Sequence, residues 1–463
     1  MKREAEWRPP NPDSLISAIL RAIEGGTVSP LAFRLSTLRF RLALFAMIVA
    51  LAAPTLSLTA SMTSAKPEDV GMSSERLQRI TQFVQRYMDA KEITGAVTMV
   101  ARRGKIAHFE AQGLMDVESK TAMRKDAIFR MASMSKPVTG VAILMLVEDG
   151  KVRLTDPVSR FIPGFKDLQV AIAKPSQPGA GRGRGGQPPP PEIYTVPATR
   201  EITVRDLLTH TSGLESSGVG YRQATQAAPR RGTDTLATYI PKLAAGPLDF
   251  QPGSQWKYSL LAGMETLGRI VEIASGQTFD QFLKQRLFDP LGMKDTGFVV
   301  PAEKQSRVVT LYNRRPEGLE RTGTPEWLNT TTLFSGGGGL YSTADDYIQF
   351  GEMLVNGGSW NGVRILSPRT VDLMASNHVG DLYQGEGNGG VHGMGFGLSV
   401  EVVLDPILAN TRRSAGSFGW YGAFGTQFWV DRKEQLVGLL MIQEPVNAMR
   451  RDFENAVMQA IVD

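Results

Sequence analysis

The sequence predicts an α/β protein of the α+β kind, with one sheet built from both ends of the chain and a mostly helical region inserted in the middle. Three observations lead there. A helix pattern and a strand pair follow the N-terminal leader. A strand, a turn, a second strand and a final helix close the chain. The stretch between, from Thr203 to about Leu291, repeats apolar residues mainly at helical spacing.

Residues 1–65 read as an N-terminal extension plus a signal peptide or membrane anchor. Arg34, Arg39 and Arg41 precede the apolar run LALFAMIVALAA, Leu42 to Ala53; Pro54 and the small-residue stretch SLTASMTSA follow, ending at Ala65. That is the tripartite layout of a secretory signal, and the expected location is periplasmic or secreted. No charge appears between Arg41 and Lys66, so the alternative is a membrane tether through residues 42–60 left uncleaved.

Next, MSSERLQRITQFVQRYMDAKE places Leu77, Ile80, Phe83, Val84 and Met88 three and four residues apart, the spacing of an amphipathic helix. GAVTMVARRGKIAHFEAQGLMD reads as two strands joined at Arg103-Gly104. An apolar helix then runs from about Ser133 and ends near Gly150. Residues 174–198 are rich in Gly and Pro with almost nothing apolar, which predicts a disordered surface insertion; its arginines read as solvated linker. In the middle region ATYIPKLAA and METLGRIVEIASG are the clearest helices, the second stopped by Gly276. Near the C-terminus, GTQFWVDRKEQLVGLLMIQEP gives two strands around a turn at Asp431 to Glu434, and VNAMRRDFENAVMQAIV gives the closing helix.

Composition narrows the chemistry. Hydrophobic residues make up 42% of 463, ample for a core. The net charge is +5, of which a surplus of three lies in residues 1–41, so nothing points to a nucleic-acid partner. With no cysteine, disulfides, thiolate metal sites, a cysteine nucleophile and a lipidated cysteine are all excluded. The histidines, His108, His210, His378 and His392, form no H-E-x-x-H or other metal pair, so no metal and no organic cofactor are expected. No serine sits in G-x-S-x-G, and SGGGG, Ser335 to Gly339, lacks the lysine and the setting of a phosphate loop.

What remains is Ser133 and Lys136 in RMASMSKPVTGVAILMLVEDGK. A lysine at a helix start meets the positive end of the dipole, and burial disfavours its ammonium further. At i and i+3 the two side chains share a face, so a neutral amine beside the hydroxyl would be a general base for a serine nucleophile. The spacing alone is weak, because a second copy occurs at Ser254 to Lys257. Taken singly, an N-cap serine followed by a solvated lysine explains the first copy as well.

Five stretches in order, MASMSKPVTG, ITVRDLLTHTSGL, WKYSLLAGMETLGRIVE, SGGGGLYSTADDYIQFGEML and GSFGWYGAFGTQFWVD, resemble the serine β-lactamase-related hydrolases. This family includes class C β-lactamases and penicillin-binding proteins, and the nearest branch is the family VIII carboxylesterases. The likeness runs over about residues 66–463, the expected hydrolase domain. It implies a β-lactamase/DD-peptidase-like fold: an antiparallel sheet flanked by helices, with a helical region across the cleft.

The resemblance also implies roles. Ser133 matches the nucleophile that forms an acyl-enzyme, and Lys136 the lysine sharing its proton network. Tyr258 matches the tyrosine that serves as general base for acylation and proton donor to the leaving group; nearby cations such as Lys136 are expected to lower its pKa. Read by itself, Tyr258 is a half-buried aromatic at a helix entrance. Trp420, Tyr421 and Gly422 take the place of the family's third motif, Gly422 allowing close backbone approach. The backbone N–H groups of Ser133 and Ala423 are the implied oxyanion hole. His210, in HTSGL, matches a structural loop.

Two departures bear on substrate. Leu260 stands where β-lactamases carry an asparagine that holds the substrate amide. Trp420 stands where they carry a lysine that attracts a carboxylate, offering an apolar wall worth on the order of 25 cal/mol per Å² covered. Both favour small to medium carboxylic esters. The rivals are a β-lactamase or D-amino-acid peptidase, and a cell-wall-binding relative without turnover.

Overall fold

GAVTMVAR carries apolar residues on both faces, which suits a strand covered on both sides, and it forms β1 (Gly95–Arg102) with every residue buried. The computed structural model describes residues 62–174, 192–215, 217–325, 331–383, 385 and 392–463. Arg103 and Gly104, both at positive φ, turn β1 into β2 (Lys105–Asp116), as a tight hairpin of this hand requires. Thr121–Ala122 adds β3. The C-terminal part supplies β4 (Met394–Phe396), β5 (Glu401–Val403), β6 (Phe418–Tyr421), β7 (Gln427–Asp431) and β8 (Leu436–Met441). The order is β4-β5-β6-β7-β8-β1-β2-β3, antiparallel throughout. Val97 faces Met441 and Arg102 faces Leu436, so the two chain ends meet inside one sheet, as the sequence predicts.

The period of two sorts β1 between two cores. Ala96 and Val100 point to one face, where α1 (Ser74–Asp89) and the C-terminal helix Asn447–Met458 lay down Leu77, Ile80, Phe83, Phe453 and Val457 beside Trp429 and Leu440. Val97, Met99 and Ala101 point to the other, larger core. There α2 (Ser135–Glu148) is buried on all sides from Ser135 to Leu146, which marks it as the central helix between sheet and helical region. That region holds α3 (Val204–Leu208), α4 (Val219–Ala227), α5 (Leu236–Leu243), α6 (Ala262–Ser275) and α7 (Phe279–Leu283). Gly276 ends α6 at φ 75°. Ala344–Val355, α8, packs Ile348, Phe350 and Leu354 into the same core.

The Gly/Pro-rich insertion is narrower than the sequence suggests. Ile193–Pro197 is a strand, paired antiparallel with Gln169–Ala173 and closed by the Lys174–Glu192 ion pair. The β-prone residues of EIYTVP outweigh the composition around them. The rest of the insertion, 175–191, and the leader, 1–61, lie outside the described residues.

Candidate active site

Ser133 sits in a single 3-10 turn, Ala132–Met134, that runs directly into α2. Two contacts fix this turn. Phe129–Arg130 pairs with Tyr341–Ser342, and the Met131 N–H donates to the Leu340 carbonyl at 2.9 Å. Ala132 is held at φ 46°, a conformation that costs a residue with a Cβ about 1–2 kcal/mol and that recurs beside functional groups.

Lys136, the second residue of α2, is completely buried. Its Nζ lies 3.2 Å from Ser133 Oγ and 2.7 Å from the carbonyls of both Leu260 and Gly337. Burial brings its pKa down to about 7, while the buried Glu265 carboxylate raises it in part. Two carbonyls and the Ser133 hydroxyl oxygen match the three N–H groups of the ammonium. Once the proton leaves, the two carbonyls still hold both N–H groups of the amine and its lone pair is free to face Ser133. Glu265 itself lies 3.6 Å from Arg230 Nη2.

Tyr258 stands in the loop before α6 with its ring half-buried, packed against His210 at 4.8 Å and Trp420 at 5.6 Å between centroids. Lys136 Nζ lies 4.8 Å from the ring centre. The hydroxyl shares a hydrogen bond with Ser133 and accepts one from Trp420 Nε1 at 3.3 Å. The lowered pKa expected of this phenol is not found. Burial pushes it up to about 12, against the smaller opposing pull of Ser133 and Trp420. Lys136, with its own pKa at about 7, is only partly charged near neutrality and does not offset that burial.

The other sequence candidates separate. Trp420 is 3% exposed, so it is less a wall for ligand than the backing of Tyr258. The alternation of β6 turns it inward, against Phe396 at 5.4 Å. Tyr421 is half-buried with the Arg450 guanidinium 3.8 Å from its ring centre. It shares with Trp420, Glu401 and Arg413 the wall of a cavity of about 620 Å³. Gly422 has no room for a side chain, since a Cβ would fall 2.4 Å from the Met131 carbonyl oxygen. Ala423 follows in an exposed turn closed by the Gly422 N–H on the Thr426 carbonyl at 2.8 Å. The Leu260 side chain is 49% exposed, whereas its carbonyl faces Lys136.

Sequence reasoning missed the carbonyl shelf. Gly337 belongs to SGGGG, and a Cβ there would come within 2.8 Å of the Leu260 carbonyl oxygen, so only glycine lets the two carbonyls converge on one amine. The run of small residues was the available signal. Among the described residues no cluster of His, Cys, Asp or Glu has the make-up of a metal site. Ser133, Lys136, Tyr258, Trp420 and the Leu260 and Gly337 carbonyls form one contiguous group. It offers a hydroxyl with an amine that can lose its proton near neutral pH on one side and a protonated phenol on the other.

The beta-lactamase family profile matches residues 80–463. The chain is 31% identical over 428 residues to Esterase EstB of Burkholderia gladioli, covering 86% of this chain and 99% of that protein. It is 28% identical to a lovastatin esterase of Penicillium rubens, over 78% of this chain and 91% of the relative. Among solved structures, EstCE1, described as a hydrolase with promiscuous acyltransferase activity, superposes with a TM-score of 0.68 at 27% identity. That match covers 83% of this chain and 99% of the other.

Proposed function

The chain belongs to the beta-lactamase family of serine hydrolases, and from that premise we propose that it cleaves small to medium carboxylic esters through an acyl-enzyme on Ser133. The observation that carries the reading is Lys136: fully buried, its pKa brought down to about 7 so that the neutral amine is well populated at neutral pH, and 3.2 Å from the Ser133 hydroxyl.

In the proposed reaction the Ser133 proton passes to the Lys136 amine as Oγ attacks the ester carbonyl carbon. The Ser133 and Ala423 N–H groups receive the developing oxyanion. Collapse breaks the bond to the alkoxy oxygen, which takes the Tyr258 proton; Lys136 returns a proton to the phenolate. Water then attacks the acyl carbon, giving its proton to the same network, and Ser133 leaves with a proton restored. Tyr258 thus acts as the acid that protonates the leaving alkoxide, and Lys136 as the base. Every step uses side-chain and backbone groups of this chain and water.

Ester rather than β-lactam or peptide is supported by Leu260 and Trp420. Neither offers the amide or the cation that the rival substrates call for, and two relatives carry the name esterase. Export, or tethering through residues 42–60, rests on the leader pattern. Fractionation of cells producing the chain with and without residues 42–60 tests it, and a soluble cytoplasmic product in both cases would refute it.

The reaction is tested by mixing the protein with p-nitrophenyl butyrate, quenching early and weighing the intact chain. The expected result is a butyryl adduct on Ser133, absent from Ser133→Ala, with p-nitrophenol released over many turnovers. Turnover of nitrocefin at a comparable rate would give the β-lactamase reading the advantage. No adduct and no turnover with either would favour a binding protein.

A further inference from the structure

Tyr258 belongs to no helix or strand, because the chain from Gln251 to Leu261 is loop until α6 begins. A phenol that must hold one position beside Ser133 therefore needs fixing from outside its own backbone ladder. The fixing group lies in the turn after α3. His210 is 1% exposed and held at φ 58°, with its ring centre 4.8 Å from that of Tyr258 and 5.6 Å from that of Trp256. Its carbonyl accepts the Lys257 N–H at 3.0 Å, and its Nδ1 accepts the Ser259 N–H at 3.2 Å. The two residues that flank Tyr258 are thus both tied to one histidine.

The ring's protonation follows from that contact. An Nδ1 that accepts an N–H carries no proton, so the neutral tautomer bears its proton on Nε2. Burial, with Lys136 nearby, keeps the imidazole from charging. Nε2 finds no acceptor among the described residues. The polar purpose of this buried ring is accordingly on its Nδ1 side. The neighbouring backbone is pinned too: Ser259 Oγ accepts the Gly263 N–H at 2.9 Å at the entrance to α6, and the Leu260 carbonyl takes Lys136.

We infer that His210 is a positioning residue for the reaction: through its carbonyl and Nδ1 it clamps the backbone on both sides of Tyr258 and so sets the phenol against Ser133. The inference rests on the acyl-enzyme reading given above. The histidine touches no reacting atom; it acts through Tyr258.

Three variants of the full chain test it, with p-nitrophenyl butyrate as substrate. His210→Phe fills the space without an acceptor. His210→Asn keeps an acceptor at the δ position and tolerates positive φ, and His210→Gln moves that acceptor one atom outward. The expected result is a loss in kcat of about 10- to 100-fold for His210→Phe at nearly unchanged KM. His210→Asn should recover most of the rate and His210→Gln much less. Equal kcat for His210→Phe and wild type, or equal losses in His210→Asn and His210→Gln, would overturn the clamp. Should His210→Phe not fold, the Asn and Gln pair still decides. Failure of the underlying reading is separately visible, since the wild-type protein would then show no Ser133 adduct at all.

Discussion

The chain contains the same four-residue pattern twice, and the two copies differ in almost everything but spelling. Ser133 and Lys136 lie at the entrance to a helix buried on every side, with the lysine nitrogen enclosed by two carbonyls and a hydroxyl. Ser254 and Lys257 lie exposed in a loop, and Ser254 Oγ donates to the Gln251 carbonyl at 2.7 Å instead of meeting the lysine. The comparison teaches that the spacing provides proximity only. Reactivity needs a site that is costly for an ammonium, and cost comes from burial.

The largest effect that could break this contrast is at the serines. Ser133→Ala should lower kcat/KM for an ester at least about 10⁴-fold, while Ser254→Ala leaves it unchanged; steady-state kinetics on both would expose any exchange of roles. At the lysines, Lys136→Arg retains a charge that cannot be lost at working pH and should cost about 10³-fold, against no change for Lys257→Arg. The pH profile belongs to the same test. With Lys136 at about 7, kcat/KM should rise with pH through that value as the amine discharges, and a flat profile between pH 6 and 8 would count against Lys136 as base.

A smaller effect is expected on the shelf. Gly337→Ala would set a Cβ 2.8 Å from the Leu260 carbonyl oxygen, so it should displace that carbonyl from Lys136 and reduce kcat about 10-fold, read against a circular-dichroism check that the fold is kept.

The smallest effect is on stability. A lysine whose folded pKa lies below its unfolded value contributes stability that is present above about 10.5 and is lost as pH falls through about 7. Lys136→Met should therefore gain on wild type as pH falls across that window. Denaturant titrations at several pH values measure it. A buried carboxyl gives the opposite sign: burial raises Glu444 to about 7, so its contribution is full below about 4.5 and lost as pH rises through 7. Glu444→Gln should flatten the stability curve there.

Much of the fold was legible because its signals are local. Leu77, Ile80, Phe83 and Val84 repeat at helical spacing and pack as one face; Arg103-Gly104 is a turn in sequence and in space; Gly276 stops α6. The insertion boundary was misplaced because composition averaged over the Pro and Gly hides the strand Ile193–Pro197, whose partner lies upstream. Of the site, Ser133, Lys136 and Tyr258 were readable through ordered motifs and do come together.

By itself the sequence determined the fold class, the sheet made from both chain ends, and the residue types that can carry acyl transfer. These are written in periodicity and in motifs that a single stretch contains. Only the tertiary structure decided which serine–lysine pair is buried, that a glycine carbonyl some two hundred positions downstream holds the amine, and that burial moves Lys136 down into the neutral range while it moves Tyr258 up. The physical reason is that protonation state depends on how much water and how many dipoles surround a group. Those are sums over residues distant in the chain, and no local pattern records them.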